Sequence, residues 1–280
     1  MRCEYDLHVH STFSDGTLKP QLLIDKALNM GLTGISITDH DTFDGLQETI
    51  DYIETNSIKI DFVPGIELNT EPEEEGNEVH ILGYYIGYDN ADFRDRLLEI
   101  RHQRKNRAVQ MVAKLNDLGF KINFENVASL AGGDLIGRPH VARAMVKAGY
   151  AENIDQVFEK YIEYGRPAYV KRYKFSPREA ISLIKSSGGI AVLAHPGLIK
   201  NQTLVGKYLN EGIEGLEVYY PQHSVRQTED YLKLARENKL LVTGGSDYHG
   251  PGSSENRAQL GTSGIDKEMM LLIKTRLKIN

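Results

Sequence analysis

Short apolar runs alternate along this chain with longer segments whose apolar residues recur at helical spacing. Several of the short runs are rich in Ile, Val and Tyr and end in polar or glycine-containing turns, which is typical of buried β-strands. Residues 5–9, 34–38, 60–68, 78–86, 190–194, 215–219 and 240–243 are the predicted strands.

Helical patterns fit between most of these strands. Residues 20–30 predict a helix with Pro20 in its first turn and Gly31 as its end. Ser176 and Glu179 have the spacing of a capping box, which predicts a helix that runs to Gly188. Strands that alternate with helices favour an α/β fold with parallel strands and crossover helices, and about seven of them predict a barrel.

The alternation stops between about residues 92 and 164, where the pattern is mainly helical. It predicts a long helix that ends near Leu118, followed by shorter helices over 139–148 and 152–161. We interpret 92–164 as an inserted helical subdomain that caps a barrel built from residues 1–91 and 165–280.

Composition narrows the classes of function only moderately. The chain has 280 residues, of which 40% are hydrophobic, and a formal net charge of −6. A mildly acidic chain does not favour non-specific binding of long nucleic acids, although a local basic patch remains compatible with phosphate binding. With one cysteine and no long apolar segment, the sequence predicts a cytoplasmic protein without membrane association.

Histidines and carboxylates collect on the predicted strands or directly after them. They comprise His8, His10, His40, His80, His195 and His249, together with Asp15, Glu67 and Asp247. Residues two apart in a strand point to the same face, so His8 and His10 can address one ion. The carboxyl ends of barrel strands are also where this architecture places active sites.

A single histidine is more often a structural residue than a ligand. Six of the nine histidines fall in this pattern, however, and burying so many titratable groups without partners would be costly. Imidazoles and carboxylates without thiolates suit Zn, Mn or Fe. Nine ligands exceed the needs of one ion, so the sequence predicts two or three divalent ions.

The ordered segments "DLHVHSTFSDG", "GLTGISITDHDTFDG", "PGIEL", "AHP" and "SDYHG" resemble the motifs of the PHP (polymerase and histidinol phosphatase) superfamily. The resemblance covers residues 1–88 and about 167–280. The second segment is most similar to stand-alone PHP phosphoesterases that act on nucleotides and short nucleic acids, a group that also carries a helical insertion.

The resemblance implies a distorted seven-stranded barrel with three metal ions. One ion would take His8, His10, Glu67 and Asp247; a second would share Glu67 and take His80 and His195; a third would take Asp15, His40 and His249. It also implies hydrolysis of a phosphate ester by a water that two ions activate. Asp247 and His249 flank the ions and are the candidates for proton transfer, although a ligand role is the simpler interpretation.

Basic residues of the insertion are candidates for substrate binding. Arg104 and Arg107 interrupt the apolar stripe of the long helix, and Arg138 and His140 begin a helix, where free backbone N–H groups favour an anion. Lys171, with its neighbour Arg172, lies where the chain re-enters the barrel. The alternatives are a solvated charged face for Arg104 and Arg107 and a plain helix start for Arg138 and His140.

Three functions remain open at this point. The first is a metal-dependent phosphoesterase that removes phosphate from a 3′,5′-bisphosphate nucleotide or trims short oligonucleotides from the 5′ end. The second is a histidinol-phosphate phosphatase, and the third is a metal-binding PHP module without catalysis. The first is favoured by the helical insertion, by the "TDHDTFDG" segment and by the complete ligand set. Its partner would be a small phosphorylated substrate, with no stable protein partner implied.

Overall fold

The structure is a computed structural model that describes residues 3–72, 74, 77–131, 133–251 and 258–279. Strands form near all the positions that the apolar runs predict. They are β1 Tyr5–Val9, β2 Gly34–Ile37, β3 Asp61–Thr70, β4 Val79–Tyr84, β5 Ile190–Leu193, β6 Gly215–Tyr219 and β7 Leu241–Gly244.

Helices surround these strands and also fill the region after β4. They are α1 Pro20–Asn29, α2 Asp44–Thr55, α3 Ala91–Asp117, α4 Phe124–Ala128, α5 Arg138–Lys147, α6 Ile154–Val157, α7 Pro177–Ser186, α8 Thr203–Asn210, α9 Val225–Glu237 and α10 Lys267–Leu277. A π-helical turn covers Phe158–Ile162 and a 3-10 turn covers Pro196–Leu198. The predicted capping box is present, because Ser176 Oγ accepts from the Glu179 backbone N–H. None of the helices within the described ranges combines the length and the apolar character that crossing a membrane requires.

The strands pair in sequence order from β1 to β7, but they are not all parallel. β1, β2 and β3 are parallel to one another, as are β5, β6 and β7, whereas β4 runs antiparallel to both β3 and β5. The prediction of parallel strands throughout was therefore wrong at β4. Fewer than ten residues connect β3 to β4, and a parallel pair would need a crossover of a dozen or more residues.

The predicted seven-stranded barrel is confirmed only as a mixed α/β fold. The ladders form a three-stranded and a five-stranded sheet that share β3. Among the described residues, no ladder joins β7 to β1. Two isolated bridges, from Val9 to Tyr248 and from Tyr5 to Ile265, link β1 to residues after β7.

A buried carboxylate holds the two ends of the strand order together. Asp6 on β1 accepts hydrogen bonds from the backbone N–H groups of Ser246 at 2.9 Å and Gly261 at 2.8 Å. Gly245 makes this approach possible, because a Cβ there would lie 2.5 Å from the His8 backbone nitrogen. The segment that carries Asp247 is thereby held against the end of β1.

Helix α3 connects the sheets to the helical region between residues 91 and 162. Near its start, Phe93, Leu97 and Ile100 pack into the apolar core that also contains Ile66 on β3. Its later turns pack into a separate core within the helical region, formed by Ala108, Val112, Leu115, Ile122, Val127, Val141, Met145 and Val157 among others. One helix therefore belongs to two cores, and its middle turns face the space between them.

Candidate metal centre

The nine predicted ligands come together in one cluster at the ends of the strands. His8, His10 and Glu67 are at most 1% exposed, and Asp15, His40, His195 and His249 are also buried. His80 and Asp247 are partly exposed and face the opening of the cluster. The cluster thus brings residues separated by up to 239 positions into contact, as His8 with Asp247 and His10 with His249 show.

Glu67 lies at the centre of the cluster. Its Oε1 is 2.8 Å from His80 Nδ1 and 3.1 Å from His195 Nε2. Its Oε2 is 2.9 Å from His40 Nδ1 and 3.3 Å from the Nε2 atoms of both His8 and His10. A single carboxylate on β3 therefore contacts imidazoles from the ends of β1, β2, β4 and β5.

A second carboxylate organises the other side of the cluster. Asp15 Oδ1 is 3.1 Å from His249 Nε2, and Asp15 Oδ2 is 3.9 Å from His40 Nε2. The rings of His10 and His249 stack with their centroids 4.0 Å apart. Donor atoms of these four residues lie close enough to hold one ion in common.

Two further sets of donor atoms converge in the same way. One consists of His8, His10, Glu67 and Asp247, and the other of His40, Glu67 and His80. The first set equals one of those that the family resemblance implies. The others differ from the implied sets. His10 joins the set around Asp15, and His40 joins His80 at Glu67. His195 contacts the same oxygen of Glu67 as His80 but is not part of that set.

The donor atoms themselves test whether metal ions fit here. His8 Nε2, both ring nitrogens of His10, His40 Nδ1, His80 Nε2 and Glu67 Oε2 are buried without a hydrogen-bond partner. Several of them are within 3.3 Å of an oxygen, but their lone pairs and N–H groups are not directed at one another. Buried polar atoms without partners are costly, whereas atoms converging on a common point suit a shared cation. The cluster is therefore suited to metal binding.

Electrostatics in the cluster follow from burial and opposite charge. Burial alone would lower the pKa of His8, but Glu217, Glu67 and Asp247 hold it well above its usual value. Burial would raise the pKa of Glu67, yet the surrounding histidines keep it well below its usual range. The protein thus keeps the charge of its central carboxylate, which is the form that binds a cation.

Two buried carboxylates that sequence reasoning missed orient the ligands. Glu217 on β6 lies 2.8 Å from His8 Nδ1 and accepts from the His195 backbone N–H at 2.7 Å. Asp39 accepts from the hydroxyls of Ser11 and Ser14, on the loop that carries Asp15. Partners of this kind fix the orientation of metal-binding histidines and carboxylates. The signal for Glu217 was present in the sequence, since an acid within the apolar strand "GLEVY" is costly unless it has a partner.

The backbone is strained at two of the nine positions. His195 has φ of 26° and Asp247 has φ of 52°, in the left-handed region that non-glycine residues rarely adopt. Strain of this kind persists only where surrounding contacts impose it, and it is concentrated at functional sites.

Four arginines surround a cavity of about 200 Å³ beside the cluster. We call it the arginine cavity; it is lined by Arg104, Arg107, Arg138 and Arg172 and reaches Asp15, His40 and His80. Three of the arginines pair with carboxylates. Arg104 pairs with Asp41, whereas Arg138 and Arg172 both pair with Glu78.

Arg107 differs from the other three. Its Nε donates to the Val170 carbonyl at 2.7 Å, its guanidinium lies over the Tyr169 ring, and no carboxylate of the described chain is within ion-pair distance. Burial, followed by the nearby Arg172 and Arg138, lowers its pKa to about 8. The arginine cavity therefore carries positive charge that the protein does not neutralise.

Two predicted substrate-binding residues lie outside the arginine cavity. His140 is buried, its Nδ1 accepts from the Gly137 backbone N–H at 3.0 Å, and it does not line the cavity. Lys171 is exposed and also absent from the lining, which its neighbour Arg172 joins instead. A role of either residue toward substrate stays a prediction.

Comparisons with known proteins agree with this chemistry. Residues 6–175 match the family model described as the PHP domain. The chain is 33% identical over 252 residues to the 5′-3′ exoribonuclease Rnm of Salmonella typhimurium, covering 88% of this chain and 85% of that protein. It is also 33% identical over 255 residues to the 3′,5′-nucleoside bisphosphate phosphatase of Chromobacterium violaceum, covering 88% and 87%.

A solved structure extends the similarity to the whole chain. It belongs to a protein from Bifidobacterium adolescentis proposed to be a metal-dependent phosphoesterase. The two share 32% identity with a TM-score of 0.87, over 97% of this chain and 96% of that one.

Replacing Glu217 tests its role in orienting the ligands. We expect Glu217→Gln to weaken metal binding by roughly 10- to 100-fold, because His8 loses the carboxylate that fixes its ring. Competition with a chromogenic chelator measures the affinity, and circular dichroism checks the fold. Glu214→Gln, directly before the same strand, is the matched control. Equal metal affinity in both variants would contradict the assignment.

Stability should depend on pH through His140. Burial lowers its pKa from 6.5 to about 4, so the folded protein favours the neutral imidazole. The unfolded chain takes up the proton first as pH falls, so the free energy of unfolding decreases between pH 6.5 and 4. Between pH 7 and 5 we expect wild type to lose roughly 2 kcal/mol more unfolding free energy than His140→Gln. Urea unfolding at both pH values measures this difference. The exposed His102→Gln should follow wild type, and a His140→Gln curve parallel to wild type would refute the assignment.

Proposed function

The chain belongs to the PHP family, and we propose that it hydrolyses the 3′-phosphate ester of 5′-phosphorylated nucleotides. Its substrates would be 3′,5′-bisphosphate nucleotides and the 5′ ends of short oligonucleotides. Two relatives, a 5′-3′ exoribonuclease and a 3′,5′-nucleoside bisphosphate phosphatase, support this proposal by the activities in their names. Both reactions break a phosphate ester at a 3′ oxygen next to a second phosphate.

The observation that carries the proposal is the surplus charge of the arginine cavity. Four guanidiniums share the cavity with three carboxylates, Asp15, Asp41 and Glu78, and none of the three pairs with Arg107. A phosphate that enters the cavity would supply the missing negative charge, and guanidiniums bind phosphate oxygens in a fork geometry. Because the cavity adjoins the metal centre, a nucleotide with its 5′-phosphate there would direct its 3′-phosphate to the ligands.

We propose that the centre holds two or three divalent ions, of Mn, Fe or Zn. When bound, they would neutralise the phosphate oxygens and lower the pKa of a water for attack on phosphorus. His8, His10, Glu67 and Asp247 would hold one ion, with Asp15, His40, His80, His195 and His249 completing the other sites.

The candidates for proton transfer, Asp247 and His249, lie next to each other in the metal centre. The 3′ oxygen must gain a proton when its bond to phosphorus breaks. Asp247 Oδ2 accepts from the Tyr220 hydroxyl at 3.0 Å, next to the space that substrate would enter. His249 Nδ1 lies 2.8 Å from the Asp247 carbonyl, which leaves its Nε2 toward Asp15. We therefore assign proton transfer to Asp247 Oδ2 and an ion-binding role to His249 Nε2.

The arginine cavity argues against the alternative substrate. Histidinol phosphate carries a cationic amine, which four guanidiniums would repel. The complete set of nine ligand side chains likewise argues against a module without catalysis.

A hydrolysis screen with Mn²⁺ present tests the function directly. It measures inorganic phosphate for the three monoester substrates and nucleoside 5′-monophosphate for the RNA, whose cleavage releases no inorganic phosphate. Its substrates are a 3′,5′-bisphosphate nucleotide, a nucleoside 3′-monophosphate, 5′-phosphorylated short RNA and histidinol phosphate. We expect the bisphosphate and the short RNA to be hydrolysed best, and EDTA to abolish the activity. Preference for histidinol phosphate would refute the proposal.

Replacing Arg107 tests the role of the second phosphate. We expect Arg107→Ala to lower kcat/KM for the bisphosphate nucleotide by roughly 10- to 100-fold, the value of a charge-assisted hydrogen bond. Hydrolysis of the nucleoside 3′-monophosphate should change much less, because it lacks the 5′-phosphate. Arg94→Ala, on an exposed turn of α3, is the matched control. Equal losses on both substrates would show that Arg107 does not bind the second phosphate.

A further inference from the structure

A second cavity opens on the same metal centre. It has a volume of about 420 Å³ and reaches His40, His80, His195 and Asp247. We call it the tyrosine cavity, because Tyr164, Tyr169 and Tyr220 lie in its lining. Glu78 and Arg172 line both cavities and form the wall between them.

Two cavities at one reacting phosphorus correspond to the two ester arms of a phosphodiester. The proposed function, on which this inference rests, places the 5′-terminal nucleotide in the arginine cavity. We propose that the tyrosine cavity binds the nucleobase of the next nucleotide, on the 3′ side of the scissile phosphate. A bisphosphate nucleotide has no such arm and would leave this cavity to solvent.

Apolar surfaces suited to a base line the tyrosine cavity. Tyr164 is 48% exposed, and its ring meets that of Tyr169 with centroids 5.4 Å apart at 75°. Leu198, which is 43% exposed, and Tyr220 come from the segments after β5 and β6. Exposed aromatic rings with an aliphatic neighbour are the surfaces on which single-stranded nucleic acid stacks its bases.

The charges of the tyrosine cavity limit how much of the chain it contacts. Two cations, Arg172 and Lys200, lie in its lining away from the metal centre, with four acids: Glu71, Glu78, Asp155 and Glu163. This mixed lining lacks the surplus of cations that attracts successive phosphates. The contact should therefore involve one base, and substrate preference should level off beyond a dinucleotide.

The reaction balances for a phosphodiester. Water attacks phosphorus, the bond from phosphorus to the first 3′ oxygen breaks, and that oxygen leaves as a hydroxyl after taking one proton. The first residue is released as a nucleoside 5′-monophosphate. The remainder keeps the phosphate as a new 5′-phosphate, so it is again a substrate for the same site.

A double cycle between protein and substrate tests the proposal kinetically. Wild type and Tyr164→Ala are each given a 5′-phosphorylated dinucleotide with or without its second base. We expect loss of the base to lower kcat/KM of wild type by about tenfold, since stacking one base is worth roughly 1.4 kcal/mol. In Tyr164→Ala, kcat/KM should be nearly equal with and without the second base, because the stacking surface is gone. Leu198→Ala is the second variant, and Leu272→Ala, exposed on α10, is the control.

Fluorescence gives a readout independent of turnover. A dinucleotide with 2-aminopurine as its second base, and a methylene group in place of the scissile 3′ oxygen, binds without cleavage. Stacking should quench its fluorescence on wild type and on Leu272→Ala, but much less on Tyr164→Ala. Equal quenching on all three, or equal losses from base removal in wild type and Tyr164→Ala, would overturn the proposal.

The outcome separates this inference from the proposed function. If the bisphosphate nucleotide is not hydrolysed, the proposed function fails. If it is hydrolysed and the second base has no effect, the function stands and the assignment of the tyrosine cavity is wrong.

Discussion

The site depends on a single buried carboxylate that five imidazoles surround. Glu67 contacts histidines that lie on or directly after β1, β2, β4 and β5. Each histidine reaches Glu67 only because its strand is paired with the neighbouring strands of the sheet. An ionised carboxylate in this position is tolerated only because opposite charge surrounds it. The order of the sheet, the segment after β7 and the buried Glu217 all maintain the arrangement around this one group.

Much of the fold and of the centre could be predicted from the sequence, for separate reasons. Each strand is a local apolar run, and each of the nine side chains lies on a strand or near a strand end. Because strand ends meet at one end of an α/β fold, the local pattern was enough to predict one cluster. Membership in the PHP family, which the motifs implied, is confirmed. The direction of β4 was not predicted correctly, because alternation alone favoured parallel strands and the short connection after β3 was not weighed.

Other features depend on contacts that no local pattern contains. Asp6 joins β1 to residues some 240 positions away, and Arg138 meets Glu78 across two segments with no common periodicity. The stripe on α3 placed Arg104 and Arg107 near the opening, but their different partners became visible only in three dimensions. Leu118, which continues the same stripe, is exposed at the residue that follows the last turn of α3.

Helix α3 has a further consequence for how the family could diversify. Its early turns are fixed in one core and its later turns in another. The number of residues between them therefore sets the angle about the helix axis at which the later side chains point. Each inserted residue advances that phase by about 100°. One extra residue between Ile100 and Arg104 would turn the arginines away from the centre, whereas seven would nearly restore their direction roughly 10 Å farther out. The distance of these arginines from the metal centre can thus change in steps of two helical turns while the ligands of the centre stay in place.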